Sequence, residues 1–260
     1  MKIPKLQLLS KTELENSKQL DNYVNSHPSV LTDFAILLGG RYRNAWWLED
    51  GSMLRKDLDA AYDRAITIRP TIKIDDEMIK DKVPGTAFGT WEFSYGEYPQ
   101  TAVSKELSDI LEKEMMARKL ERSGKAYTSD SATKLDDDSE FLPKHYIEYI
   151  YKGKKYIRVV ASGISNGLIL SNKKNIEIDK PYWIEVEPIT WIIADEKSKK
   201  AISKYELIAG LQYKNAKEKK STKISEESDI QKFIDKYLAP KIIPSGMSIE
   251  ESEKEVTSKK

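Results

Sequence analysis

The sequence predicts an α+β fold built from short, mostly antiparallel strands with a few helices. Three observations carry this expectation. "HYIEYIYKGKKYIRVVASG", residues 145–163, has two aromatic and β-branched runs flanking Lys152-Gly153-Lys154, the pattern of a β-hairpin. "AITIRPTIKI" places Ile66, Ile68, Ile72 and Ile74 in near-strict alternation around Arg69-Pro70. Such alternation reads as a strand, and its proline assigns it to an edge or a bulge. A helical period appears in only a few places, clearest in "VSKELSDILEKEMMARKLERSGK".

Taken in order, "IPKLQLLS" is a short apolar run, and "KTELENSKQLDNYVN" supplies one or two helical turns. "SVLTDFAILLGG" reads as a short helix capped by Ser29 or Thr32 and ended by Gly39 and Gly40. "NAWWLE" reads as a strand with "EDGS" as its turn. The passage "KVPGTAFGTWEFSYGEYPQ" reads as an irregular Gly/Pro-rich connection leading into a short strand. The helix that follows places Val103, Leu107, Ile110, Leu111 and Met115 on one face, with Gly124 as its stop. "SNGLIL" and "KNIEID" read as short strands. "YWIEVEPITWIIADEKSKKAISKYELIAGLQY" gives further strands, interrupted at Pro188 and turned at "DEKSKK". "SDIQKFIDKYLAP" is an amphipathic helix with a Ser228/Gln231 capping box, stopped by Pro240. The expected organisation is a first half (1–83) and a second half (84–215) sharing one core, a C-terminal helix (226–240) and a flexible tail (241–260).

Composition narrows the chemistry. The chain has 260 residues, 39% of them hydrophobic, with 5 Trp, 14 Tyr and 5 Phe. Each buried aromatic removes roughly 150–250 Å² from water, enough for a core despite 33% charged residues. A formal charge of +1 with interspersed signs argues against dedicated nucleic-acid binding. There is no cysteine, which excludes disulfides, thiolate catalysis and zinc–thiolate or iron–sulfur sites. No apolar run long enough to span a membrane and no secretory signal is read, so a cytoplasmic protein, or one packaged in a virus particle, is expected.

Nucleotide and serine-hydrolase motifs are missing. His27 and His145 are far apart in sequence and read as structural. Asp136, Asp137, Asp138 and Glu140 read as a solvated acidic loop, with a weak cation site as the alternative. Glu185 and Glu187 share one strand face, where they serve either as an acid–base pair or as surface charge. The adjacent Trp46 and Trp47 point to opposite faces of a strand. They cannot both enter the same core layer unless the strand is buried on both sides, so one is expected in the core and the other at a surface, an interface or under a loop. Arg41, Tyr42 and Arg43 beside them, with Trp46 and Trp47, form the candidate binding surface. Ile230, Phe233, Ile234 and Tyr237 form the apolar face of the last helix, which either docks on the main domain or receives a partner.

"SYGEYPQ", "EPITWIIAD", "LQLLSKTE", "AWWLEDG" and "ITIRPTI" together resemble a family of uncharacterised bacterial and phage-associated domains. That family has a C-type-lectin-like fold related to the formylglycine-generating enzymes. The motifs occur here in permuted order, with residues 6–74 matching late elements and residues 93–213 early ones. The resemblance implies a C-type-lectin-like scaffold without the chemistry of its relatives. Formylglycine generators need active-site cysteines, and the related sulfoxide synthases a histidine cluster. The expectation is a non-enzymatic binding or assembly protein that needs no cofactor or metal and is phage-associated, for example as a virion component. Its partner is a protein or glycan, with self-association or particle assembly as further options. The alternatives are a carboxylate-dependent hydrolase or transferase, and an intracellular phage regulator that inhibits a host protein.

Overall fold

The computed structural model describes residues 5–41, 45–49, 52, 54, 66–128, 145–210 and 234–242. Its strands are mostly antiparallel and its helices few. The largest sheet has nine strands: β1 (Leu6–Gln7), β4 (Thr71–Lys73), β5 (Val83–Pro84), β6 (Trp91–Ala102), β7 (Glu121–Thr128), β8 (His145–Tyr151), β9 (Lys154–Val160), β10 (Pro181–Ile193) and β11 (Lys200–Ser203). Two small ladders complete it: β3 (Thr67–Ile68) with β13 (Ile208–Ala209), antiparallel, and β2 (Val30–Leu31) with β12 (Tyr205–Glu206), parallel. The helices are α1 (Lys11–Asn16), α2 (Lys18–Ser26), α3 (Asp33–Leu37) and α4 (Lys105–Met116), and a last turn α5 (Ala239–Ile242).

β10 organises the sheet. One of its edges pairs with β6 from Ile184 to Ile193. Its other edge is shared: β9 takes Pro181–Glu185, and β11 takes Trp191–Ile192. The sheet therefore forks, into β9-β8-β7 on one arm and β11-β4-β1 on the other. Pro188 does not interrupt β10, as the sequence suggests. It sits inside one continuous strand, in the stretch between the arms, where a missing N–H costs no ladder bond on the forked edge.

The register explains why simple alternation fails here. The 12 residues of β6 run against Ile184–Ile193, two residues fewer, so β6 carries two extra residues. One is Gln100, between the Glu185 and Val186 pairs; at the other shift Tyr95 and Gly96 together face Ile189. Across these bulges the side chains facing the main core change parity in both strands. They pass from Tyr182, Ile184 and Val186 to Ile189, Trp191 and Ile193 in β10, and from Ala102 and Tyr98 to Phe93 in β6. The "irregular" Gly/Pro passage thus contains one of the two longest strands, bent at Gly96 (φ +70°).

Several local expectations correspond closely. Lys152 and Gly153 both have positive φ (49° and 76°) and join Tyr151 to Lys154, the two-residue turn that suits the strand twist. Thr32 is the N-cap of α3, its Oγ1 accepting from the Ala35 N–H, and Gly39 closes the helix at φ +110°. Other expectations change. The one strand read across residues 66–74 is instead two, because Arg69-Pro70 separates β3 from β4, and they belong to different sheets. α4 ends at Met116 with Arg118 at φ +57°, and Gly124 lies instead in β7, at a bulge between Arg122 and Ala126. Ile110 is not on the covered face, being 43% exposed; Leu111 is buried. "SNGLIL" and "KNIEID" meet through a single bridge, Ile169–Asn175, and Trp46 bridges only Thr67.

One apolar cluster joins Leu6, Phe34, Trp47 and Ile68 to Tyr98, Tyr127, Trp191 and the C-terminal Ile234, Leu238 and Ile242. A second, around Leu20, Val24, Trp46 and Ile192, lies under α2; a third, around Val103, Leu111, Tyr156 and Trp183, under α4. α4 is pinned by Glu112, which accepts from Arg158 Nε and Nη2 (3.0 and 2.9 Å) and from Trp183 Nε1 (2.9 Å). The Arg158 contact holds its carboxyl below the ordinary range.

The last helix docks, with Ile234, Leu238 and Ile242 buried against β1, β6 and β7. Pro240 does not stop it. A π-helical stretch, Ile234–Leu238, precedes α5, and Pro240 falls in the first turn of α5, where no helical N–H is required. A Cβ added at Gly96 would land on the Ile242 carbonyl oxygen.

Two outcomes follow. Gly96→Ala is expected to cost on the order of 3 kcal/mol by urea denaturation, because it adds a clash to backbone strain; Gly124→Ala, with open space at its Cβ, should cost about 1 kcal/mol. The depressed Glu112 carboxyl stabilises the fold above its unfolded pKa, and this contribution is lost as pH falls through the folded value. Glu112→Gln should therefore flatten the acid limb of a stability-versus-pH curve, by less than about 1 kcal/mol since the pair is a third exposed.

Candidate functional site

Beside the forked stretch of β10 lies a cleft of about 370 Å³, within the size range of small-ligand sites. It is lined by Val30–Asp33 at the start of α3, Gln100 and Thr101 of β6, Ser171, Glu187, Pro188 and Thr190 of β10, and Tyr205 of β12.

Its floor is fixed. Buried Asp33 accepts from the Ala102 N–H (2.7 Å), the Ser171 N–H (2.8 Å) and the Ser171 hydroxyl. Gln100, 6% exposed, donates from Nε2 to the carbonyls of Glu187 and Pro188, both at 3.0 Å. Those two acceptors fix which end of the amide carries nitrogen and leave Oε1 as the free acceptor. Gln100, the extra residue of β6 at the Glu185/Val186 shift, thus caps carbonyls that lie between that shift and the next.

The rim is different. Among the described residues, no side chain bonds to the Glu187 carboxylate, the Thr101 and Thr190 hydroxyls or the Tyr205 hydroxyl. Lys154, whose charge reaches Glu187, is bonded to Glu185 at 2.6 Å. Glu185 and Glu187 do share the face opposite Ile184 and Val186, but only Glu187 enters the cleft.

Next to the cleft is a buried polar knot. Between β4/β11 and β3/β13 the ladder opens, and the excursion Lys204–Leu207 carries Glu206 to Ser29 and Thr67, whose hydroxyls both donate to its carboxylate. Arg69, fully buried, donates from Nε to the Ser203 carbonyl (2.8 Å) and stacks on Trp46 (4.8 Å) and Tyr23 (5.7 Å). Burial lowers its pKa, opposed by Tyr23 and Glu206. Among the described residues Arg69 Nη1 and Trp46 Nε1 find no hydrogen-bond partner.

The residues singled out from sequence fall as follows. Trp46 and Trp47 are both buried, in separate clusters, so the segment is covered on both sides and presents no exposed ring. The expectation that one of them reaches a surface or interface is corrected by that double cover. Arg41 is exposed, while Tyr42 and Arg43 lie outside the described residues. Ile234 is buried in the docked helix; Ile230, Phe233, the Tyr237 side chain and the Asp136–Asp138 and Glu140 loop lie outside what is described. His27 stacks on Tyr23 (5.2 Å between centroids); the His145 side chain is not described. Among the described residues no group of His, Asp and Glu is placed to hold a metal ion, and no helix is long and apolar enough to cross a membrane. Of the cleft residues, Gln100 and Thr190 fall inside "SYGEYPQ" and "EPITWIIAD", whereas Asp33 and Tyr205 carry no motif. A further sequence signal is indirect: Pro99 and Pro188 inside strand patterns mark bulges, and bulges redirect side chains.

No protein-family model, curated protein or solved structure matches the chain.

Gln100→Leu should cost about 1–3 kcal/mol in urea denaturation, because two strand carbonyls lose their donor, whereas Thr101→Val should stay within about 0.5 kcal/mol.

Proposed function

We propose that this chain is a non-enzymatic binding module that receives part of a partner protein or glycan in the cleft beside β10. The observation that carries the reading is the contrast between floor and rim. Asp33 and Gln100 are held by backbone groups, whereas no side chain among the described residues pairs with the Glu187, Thr101, Thr190 and Tyr205 side-chain groups around a concave opening. Rigid support under unpaired polar groups is what a binding site needs to recognise a ligand without reorganising. Relation to C-type-lectin-like domains, and a phage setting as virion component or host-protein inhibitor, belong to this proposal on the sequence motifs alone.

A second reading has its own support: Glu187 and Asp33 are two carboxylates lining one cleft, as a carboxylate-dependent hydrolase or transferase would require. Asp33 is already engaged by three donors, which favours a positioning role over proton transfer.

The experiment is retention on immobilised protein from peptide and glycan libraries, comparing wild type with Thr101→Trp and Thr190→Trp, which fill the opening. Expected are ligands retained unchanged by wild type and lost by both variants at unaltered melting temperature. Retention by the filled variants would remove the cleft from the function, and chemically altered ligand would favour the second reading.

A further inference from the structure

Resting on the cleft as the binding site, we infer that its occupant is an obligate hydrogen-bond donor bearing positive charge: the ammonium of a lysine or the guanidinium of an arginine, presented by a partner polypeptide. Among the described residues, no Lys, Arg, His or Trp lines the cleft, so no lining side chain there is an obligate cationic or ring N–H donor. The one side-chain N–H pair, Gln100 Nε2, is already spent on two carbonyls, and the N–H groups of Ala102 and Ser171 are spent on Asp33.

What remains free is acceptor-biased. Gln100 Oε1 and the Glu187 carboxylate can only accept, and the hydroxyls of Thr101, Thr190 and Tyr205 can do either. Gln100 is more than nine-tenths buried, and its unpartnered oxygen belongs to a side chain fixed at the cleft wall. Both charged lining residues, Asp33 and Glu187, are acids. An anion would meet the repulsion of two carboxylates with only neutral hydroxyl donors to offset it, and a neutral polyol would bring no charge to match that of Glu187. An ammonium or guanidinium supplies donors and charge together. The Tyr205 ring at the rim adds a surface against which a flat guanidinium or an aliphatic stem can pack.

The test uses the full chain and ¹⁵N-detected titration with blocked tripeptides: Ac-Gly-Lys-Gly-NH2 and Ac-Gly-Arg-Gly-NH2, their neutral isosteres with norleucine and citrulline, free spermidine, methyl glucoside and inorganic phosphate. Expected are saturable shifts at the amides of Thr101, Thr190 and Tyr205 with the lysine or arginine peptide. Affinity should be at least tenfold weaker for the matching isostere, at least tenfold weaker in Glu187→Gln at unchanged melting temperature, and reduced by added salt. Tighter binding of spermidine than of either basic peptide would assign the site to a free polyamine and overturn the polypeptide source. If citrulline binds as well as arginine, or if only the glucoside or phosphate moves these amides, the charge inference fails while the cleft stands. If no probe moves them, the inference and the cleft reading both fall.

Discussion

Everything in this molecule is built around one long strand that must serve two neighbours on a single edge. β10 keeps β6 along one side and hands its other side from β9 to β11. A uniform pleat cannot do this, because the two arms diverge and the apolar face must still meet a single core. The solution is local irregularity at fixed points: Gly96 at positive φ, Gln100 as an inserted residue, and Pro99 and Pro188 where a ladder donor is dispensable. The parity of inward-facing residues changes there, so Trp191 and Ile193 share a core with Tyr182 and Ile184. Between the two register shifts Gln100 donates to the carbonyls of Glu187 and Pro188, which ties it to β10. The cleft is thus a by-product of how the sheet divides, furnished with polar groups by the same division.

The second demand is electrostatic. The opening between the β4–β11 and β3–β13 ladders lets a fully buried arginine and a fully buried glutamate enter the interior within one polar knot. Removing such charges from water costs several kcal/mol per ion, recovered only through close hydrogen bonding and mutual attraction. Serine and threonine hydroxyls supply that bonding for Glu206, and the Ser203 carbonyl and two aromatic faces for Arg69. A truncated member would strand the others, so the knot ties the register of the β3 region to α2, through Tyr23, and to β2, next to Ser29. Its members point inward to one another, which marks it as architecture, whereas the groups at the cleft rim face outward.

How much of this was legible follows from the range of each interaction. The 152–153 turn and the cap and stop of α3 are written in contiguous residues, because turn chemistry and capping act over three or four positions. The antiparallel, strand-rich character was visible in β-branched alternation for the same reason. β10 was not legible as one strand: alternation restarts out of phase after Glu187, and only its pairing with β6 reveals that the phase change is a bulge. The tryptophan pair misled because a two-sided cover comes from α2 on one side and the main core on the other, elements distant in sequence. The cleft was least legible, since Asp33, Gln100 and Tyr205 come from three separate segments and each has an ordinary local role. Glu187 alone was singled out, through the face it shares with Glu185.

The docked C-terminal turns carry a consequence for how the chain is made. Ile234 and Leu238 share the main cluster with Leu6, and the Ile242 carbonyl seats against Gly96 of the central sheet. On a ribosome, residues are released in order, so Leu6 emerges more than two hundred positions before the segment that covers its neighbourhood. Until then the β1 region of the sheet presents uncovered apolar surface. Contacts of such sequence separation make folding slow relative to helical bundles and place its final step after most of the chain is already synthesised. Newly made chains therefore carry an open core seam until residues 234–242 are released, and the seam closes only by a contact between the two ends of the described chain.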